Sequence, residues 1–348
     1  SPLEMTPMQR FHAAINHTEP DRVPIFLLAG YAAARGLGLT VREYFSKAEN
    51  VVEGQMRFVN RFGSDCLYAF AYASLELEAF GGETLFSDDG PPNAGAPVLA
   101  KAEDILSLGI PRIAEQPGLQ RVLETERLLN EKARGQMPIM GVVVSPFSLP
   151  VMQLGFSACL DLMFEQPRLF SRLMQINEAF CVDWANAQLS AGATIICYFD
   201  PVASSTITTR EQYLALGYPA ARRAMAKIKG PVCTHLGSGR GMPVFKDIIR
   251  TGTMLAGVSS DEDLGEMKKI TRGKMALMGN LNGVEMRTWS SETAEQKVRE
   301  AIRAAGPGGG FILSDNHGEI PGLVSDEVLM AVTDAVRRWG RYPLTWAK

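Results

Sequence analysis

The stretch Pro231-Val232-Cys233-Thr234-His235-Leu236-Gly237-Ser238-Gly239 is a short apolar β-run that ends on a histidine and opens into a glycine-containing loop. Leu313-Ser314-Asp315-Asn316-His317-Gly318-Glu319-Ile320-Pro321 repeats that arrangement near the end of the chain. The 348 residues hold only 4 histidines, and two of them stand at these junctions. In a barrel of alternating strands and helices, the C-terminal ends of the strands meet at one mouth, where the chemistry sits. His235 and His317 are therefore expected at one site. His12 and His17 lie in a first helix with no partner motif and are expected on the surface or in packing.

The rest of the chain fits that frame. β-runs fall at 23–28, 65–70, 138–144, 193–199, 231–235, 254–258, 275–279 and 311–314. Helical segments with apolar residues at helical spacing separate most of them, as at 117–134, 167–189 and 292–305. Thr40 with Glu43, Ser46 with Glu49 and Thr209 with Gln212 are capping boxes that mark helix starts. Near-continuous apolar strands alternating with helices imply a parallel sheet covered on both faces. The expected fold is a (β/α)8 TIM barrel forming a single domain over 1–348. An inserted segment at 71–116, with a β-piece at 84–87 and a turn-rich stretch at 88–93, is expected over the mouth. A doubly wound open sheet is the alternative, weakened by the lack of a G-x-G-x-x-G after the first run and of any phosphate loop. Asp200, His235, Asp261, Asn280 and His317 all follow β-runs directly.

Composition narrows the function. The net charge of −3 gives no basic surface for nucleic acid. No apolar run reaches the ~18 residues that cross a bilayer, so no membrane is expected as a partner. The N-terminus shows no charged-then-apolar signal pattern. The 5 cysteines are scattered and form no CxxC pair, which suits free thiols in a reduced cytoplasm.

Several ordered motifs resemble the uroporphyrinogen decarboxylase superfamily, and within it the cobamide-dependent methyltransferase branch of the O-demethylase methyltransferase I kind. Arg10-Phe11-His12-Ala13-Ala14 through Pro20-Asp21-Arg22-Val23-Pro24 is similar to the opening of that superfamily. Glu76-Leu77-Glu78-Ala79-Phe80-Gly81, Phe199-Asp200-Pro201-Val202-Ala203-Ser204, Met278-Gly279-Asn280-Leu281 and His317-Gly318-Glu319-Ile320-Pro321 follow at compatible spacing. The decarboxylase itself carries Arg-Gln-Ala-Gly-Arg after its first strand to hold porphyrinogen carboxylates. This chain has Leu27-Leu28-Ala29-Gly30-Tyr31 there, without either arginine. A tetrapyrrole with eight carboxylates needs fixed cationic donors.

The resemblance implies a corrinoid-dependent methyltransferase. It takes a methyl group from a small methylated substrate, such as a methoxylated aromatic ether, and passes it to Co(I) of a corrinoid carried by a partner protein. Thiol-methylating relatives hold zinc with His-x-Cys after the fifth strand and a cysteine after the eighth. Here His235 matches the histidine, Gly237 replaces one cysteine and His317 replaces the other. Zinc acting as Lewis acid is expected on His235 and His317. Cys233, two residues earlier and on the same strand face, could complete the set, as could a carboxylate such as Glu78, Glu76, Asp200 or Glu319. A site rich in neutral imidazole stays electrophilic and suits a poor leaving group. Asp200, Asn280 and Tyr198 are the expected catalytic residues. Gly237, Ser238 and Gly239 are expected to form a loop toward the corrinoid. A thiol or folate methyltransferase using methylcobamide, a decarboxylase, and a non-catalytic corrinoid or tetrapyrrole binder remain alternatives. Oligomeric state stays open, a homodimer included.

Overall fold

The computed structural model describes residues 3–87 and 91–348. Its centre is a curled, seven-stranded, wholly parallel sheet in which sequence neighbours are also spatial neighbours. The strands are β1 (Leu67–Tyr68), β2 (Ile139–Val144), β3 (Ile195–Phe199), β4 (Val232–His235), β5 (Leu255–Gly257), β6 (Ala276–Leu281) and β7 (Phe311–Asp315). Helices lie between successive strands, which is what parallel pairing requires of the connections. Register is fixed by pairs such as Phe199 with His235 and Asn280 with Ser314.

The run expected as the first strand forms no ladder. Residues 23–28 are extended and make a single isolated bridge, Ile25 to Leu313 of β7. Phe26 N–H donates to Leu313 O at 2.9 Å and Leu313 N–H to Pro24 O at 2.9 Å. On the other side Asp65 N–H, just before β1, donates to Ile25 O at 2.7 Å. Of the other donors, Val23 N–H goes to Gly340 O at 2.9 Å, while two go to side chains: Ile25 N–H to Asp65 Oδ2 at 2.9 Å and Leu27 N–H to Ser64 Oγ at 2.9 Å. Pro24 has no N–H to offer. The segment thus lies between the last strand and the approach to the first, held partly by side chains where a ladder was expected.

Asp65 is the fixing point. It is 1% exposed and accepts from Arg10 Nη1 at 3.0 Å and from Arg22 Nη1 and Nη2 at 2.7 and 3.0 Å. A buried carboxylate with this many donors is fully compensated.

Both faces of the sheet are covered, and alternate residues sort between them. Inside pack Tyr68, Met140, Cys197, Cys233, Met278 and Ile312, with Phe11 of the first helix, Pro7–Ile15, against them. Outside, Val143, Tyr198, Leu277 and Leu313 pack under the helices. The boxes at Thr40 and Thr209 form, but Ser46 instead donates its hydroxyl to Glu43 O, and Lys47 opens the helix Ala48–Phe62. The helical run that opens at the Thr209 box contains a π segment, Tyr213–Gly217. Pro219 cannot donate to residue 215, and the wider turn absorbs that loss. In the insertion, a hairpin pairs Thr84–Leu85 with Asn93–Ala94. Residues 88–90, in the stretch expected to be turn-rich, lie outside the described residues; Pro91 reaches the wall of the mouth cavity.

Candidate active site at the C-terminal strand ends

His235 closes β4 with its ring inward, two residues above Cys233 and 1% exposed. Its Nδ1 accepts the Gly237 N–H at 3.0 Å. Gly237 needs φ +65° to turn back and make that bond, a conformation that disfavours the cysteine of the thiol-methylating pattern. Gly257 gives the ring its space: a Cβ there would lie 2.5 Å from His235 Cδ2, whereas one on Gly318 would sit in ordinary contact at 3.6 Å from Nε2. Nε2 is buried and has no partner among the described residues. Burial, and then the nearby His317, push the imidazole pKa down to about 4. The ring is neutral at pH 7. Because Nδ1 is an acceptor, its proton sits on Nε2.

Above His235 runs the turn that follows β7. Asp315 Oδ2 accepts the N–H groups of His317 at 2.8 Å and Gly318 at 2.9 Å. Gly318 adopts φ +84° there. The Tyr68 hydroxyl, from inside β1, donates to Gly318 O at 2.5 Å. Asn316 accepts from Gly283 N–H at 3.1 Å and donates to Ser260 Oγ at 3.0 Å. Glu319 Oε1 takes the N–H groups of Gly30 at 2.8 Å and Tyr31 at 3.1 Å, which start the helix Gly30–Gly36. Those two bonds favour the carboxylate, but burial outweighs them and raises the Glu319 pKa to about 8. Asp315 is also pushed upward by burial.

The exposed His317 and partly buried Glu319 open into a cavity of about 850 Å3. Its wall is largely apolar, with Tyr31, Leu39, Val41 and Leu323 among its side chains. Arg35 and Arg287 are its cations. Arg35 is tied to the carbonyl of Gly322, to Val324 O at 3.1 Å and to Asp326 at 2.8 Å.

The uroporphyrinogen decarboxylase (URO-D) family model matches residues 6–339. The chain belongs to this family. The uroporphyrinogen decarboxylase of Nitrosococcus oceani is 27% identical over 94% of this chain and 95% of its own length. That of Myxococcus xanthus is 26% identical over 95% and 96%. Among solved structures, a methyltransferase from Methanosarcina mazei superposes with a TM-score of 0.86 at 18% identity, covering 96% of this chain and 99% of its own. A B12-independent methionine synthase from Shewanella sp. reaches 0.56 at 13% identity, over 92% and 93%. These likenesses show a shared fold.

Within this uroporphyrinogen decarboxylase family site, the other expected residues divide. Asp200 lies beside His235: its N–H donates to His235 O at 2.8 Å. Its Oδ1 accepts both Ser145 and Ser148 hydroxyls at 2.6 Å, and burial raises its pKa to about 6. Tyr198 lies on the Asp200 side of the strand and does not join His235: alternation turns it outward under the helices, where its hydroxyl is buried without a partner among the described residues and burial, with the Asp200 carboxylate, raises its pKa well above the ordinary value. Asn280 donates to Ser259 O at 3.0 Å and Glu262 O at 3.4 Å, and lines a separate polar cavity of about 330 Å3 with Asp261 and Lys297. Glu78 accepts from Thr84 Oγ1 at 2.6 Å and belongs to the insertion. Ser238 O accepts from Ser259, Gly239 packs on Ser204, and Glu262 takes the N–H groups of Gly241 and Met242. The loop 237–241 is thus stitched down and offers no open cradle.

The zinc set expected here does not fit. No three His, Cys, Asp or Glu side chains among the described residues are grouped to hold a metal. Cys233 lies fully buried next to Cys197, and both that contact and burial raise its thiol pKa well above the ordinary value. A metal-bound imidazole donates its second N–H outward. His235 instead receives a backbone N–H on Nδ1, the reverse polarity for ligation through Nε2. Glu319 was expected only as a possible metal carboxylate, and Asp315 and Arg287 were not among the candidates. The first two stand in the quoted stretch around His317, and their position at a strand end was the available signal. Arg287 carries no local signal.

Proposed function

We propose that this chain is a methyltransferase that takes a methyl group from a small, largely apolar substrate, best read as a methyl ether, and passes it to Co(I) of a corrinoid held by a partner protein. The observation that carries this is the mouth cavity. Where the decarboxylase pattern has its two arginines, Leu27 is 1% exposed in the core and Tyr31 lines the wall. With Arg35 already engaged, the wall cannot match eight carboxylates. The fold it shares with a protein named a methyltransferase supports the same direction. The corrinoid supplies the nucleophile. The chain has to orient the donor and stabilise charge on the departing oxygen. With no fitting metal set, that task falls to its own donors near the turn, His317 and the Glu319 carboxyl. Beneath them His235 keeps a neutral ring whose shape the turn is built on. Five buried free thiols suit a cytoplasmic setting.

The test is incubation with a reduced corrinoid protein and a panel of methyl ethers, watched by cobalt absorbance, with uroporphyrinogen turnover run alongside. Methylated corrinoid from at least one ether is expected. Decarboxylation of uroporphyrinogen without any methyl transfer would replace this reading.

A further inference from the structure

Among the described residues, one guanidinium of the cavity wall has two Nη groups without a partner. Arg287 follows the short helix Gly283–Met286 and is exposed at the mouth. Its Nε donates to Val284 O at 2.9 Å, which orients the fork. Its two Nη groups have no partner among the described residues. Arg35, the other cation of the wall, spends its donors on two carbonyls and Asp326. Around the two arginines the surface is apolar, with Val284 49% and Leu323 77% exposed at the rim.

Many backbone donors around the cavity are already taken. Three helices begin near its wall. Glu319 accepts the first N–H groups of the helix at Gly30. Thr40 and Glu43 cap the helix at Val41. Asn282 Oδ1 accepts from Val284 and Glu285, both at 3.1 Å, at the helix from Gly283. A phosphate group is held by several backbone N–H groups together, and the side-chain caps at these three helix starts take up many of those donors. A single planar carboxylate asks only for one guanidinium fork.

We propose that Arg287 determines specificity: the cavity takes a substrate with an apolar, ring-sized body and one carboxylate, and the Arg287 fork holds that carboxylate. This rests on the methyl-transfer reading and names its substrate class. The donor is then an aromatic or similarly flat acid bearing the methyl ether on the part away from Arg287, toward His317 and Glu319.

Isothermal titration of the whole chain with 4-methoxybenzoate and with methoxybenzene separates the ideas. One charge-assisted, bidentate contact at an exposed site should favour the acid by roughly twofold to fivefold. Added salt should shrink that preference. R287A should bring the acid to the level of methoxybenzene, and R287K should keep part of the difference, while methoxybenzene binds all three proteins alike. Equal affinity for the two probes in the unmodified chain, or acid binding unchanged in R287A, overturns the proposal. Arg287-dependent binding of the acid, followed by no methyl transfer to reduced corrinoid, would leave this specificity standing and remove the methyl-transfer reading.

Discussion

Glu76 offers a measurable test of how the interior treats charge. It sits in the helix Leu75–Ala79, 5% exposed, near Trp184 and Gln188. Oε2 accepts the Val144 N–H at 2.7 Å, while Oε1 is buried with no partner among the described residues. Burial raises its pKa from the ordinary 4.5 to about 8, against the lowering effect of the Val144 bond. An acid whose folded pKa is raised keeps its proton in the folded chain after the unfolded chain has lost it. Stability is therefore fully present below pH 4.5 and declines up to about pH 8. Each pH unit removes about 1.4 kcal/mol. From pH 4.5 to pH 7 the loss is on the order of 3 kcal/mol. In E76Q the amide oxygen can still accept the Val144 N–H, and no ionisation remains. Urea unfolding of both proteins across pH 4.5–8 reads the effect. The stability of E76Q relative to the unmodified chain should rise by about 3 kcal/mol between pH 4.5 and 7 and level off near pH 8. Any constant offset from the added amide hydrogens cancels in that comparison. Parallel pH profiles would show that Glu76 ionises inside the fold at no cost, and the burial argument for it would be wrong.

Further outcomes follow from the same geometry. His235 is held neutral, with its folded pKa near 4, so its site loses stability as pH falls from about 6.5 to 4. H235Q should flatten that stretch of the acid limb seen by circular dichroism, and an unchanged limb would refute a buried neutral ring. G257A puts a Cβ 2.5 Å from the His235 ring. It should displace the imidazole, seen as altered histidine NMR signals, and cost about 1–3 kcal/mol through overpacking. D65N removes a charge shared by Arg10 and Arg22 in the interior and should cost about 3–5 kcal/mol in chemical denaturation. Zinc measured on chain grown with added zinc should stay below one per chain and not change in H235A. Stoichiometric zinc lost in that variant would restore the metal set rejected above.

Several strand ends were legible because their apolar runs stop at a polar or turn-forming residue, as at Asp200 and Asp315, and parallel strands leave that uninterrupted mark. The face a residue occupies was not. Both faces of this sheet are apolar, so nothing local separates the inward Cys197 from the outward Tyr198. The segment 23–28 reads like a strand, yet its partners include the side chains of Ser64 and Asp65, which a hydrophobic pattern does not report. His235 and Asp200 could be placed together because both end neighbouring strands. The cavity wall joins residues near 31–41, 284–287 and 317–323. No spacing within one segment announces that Arg287 and Glu319 border the same space.

The Asp65 node also governs how the molecule behaves toward its own kind. A sheet that ends on a bare strand presents a row of unanswered amide groups, and any extended chain can add itself there. Here residues 23–28 meet β7 on one side and the approach to β1 on the other, and the Arg10, Arg22 and Asp65 cluster clamps them in place. Two ions and a carboxylate thus act as a guard against strand-to-strand polymerisation. That cluster stands just before β1, at the opposite strand end from His317 and the cavity.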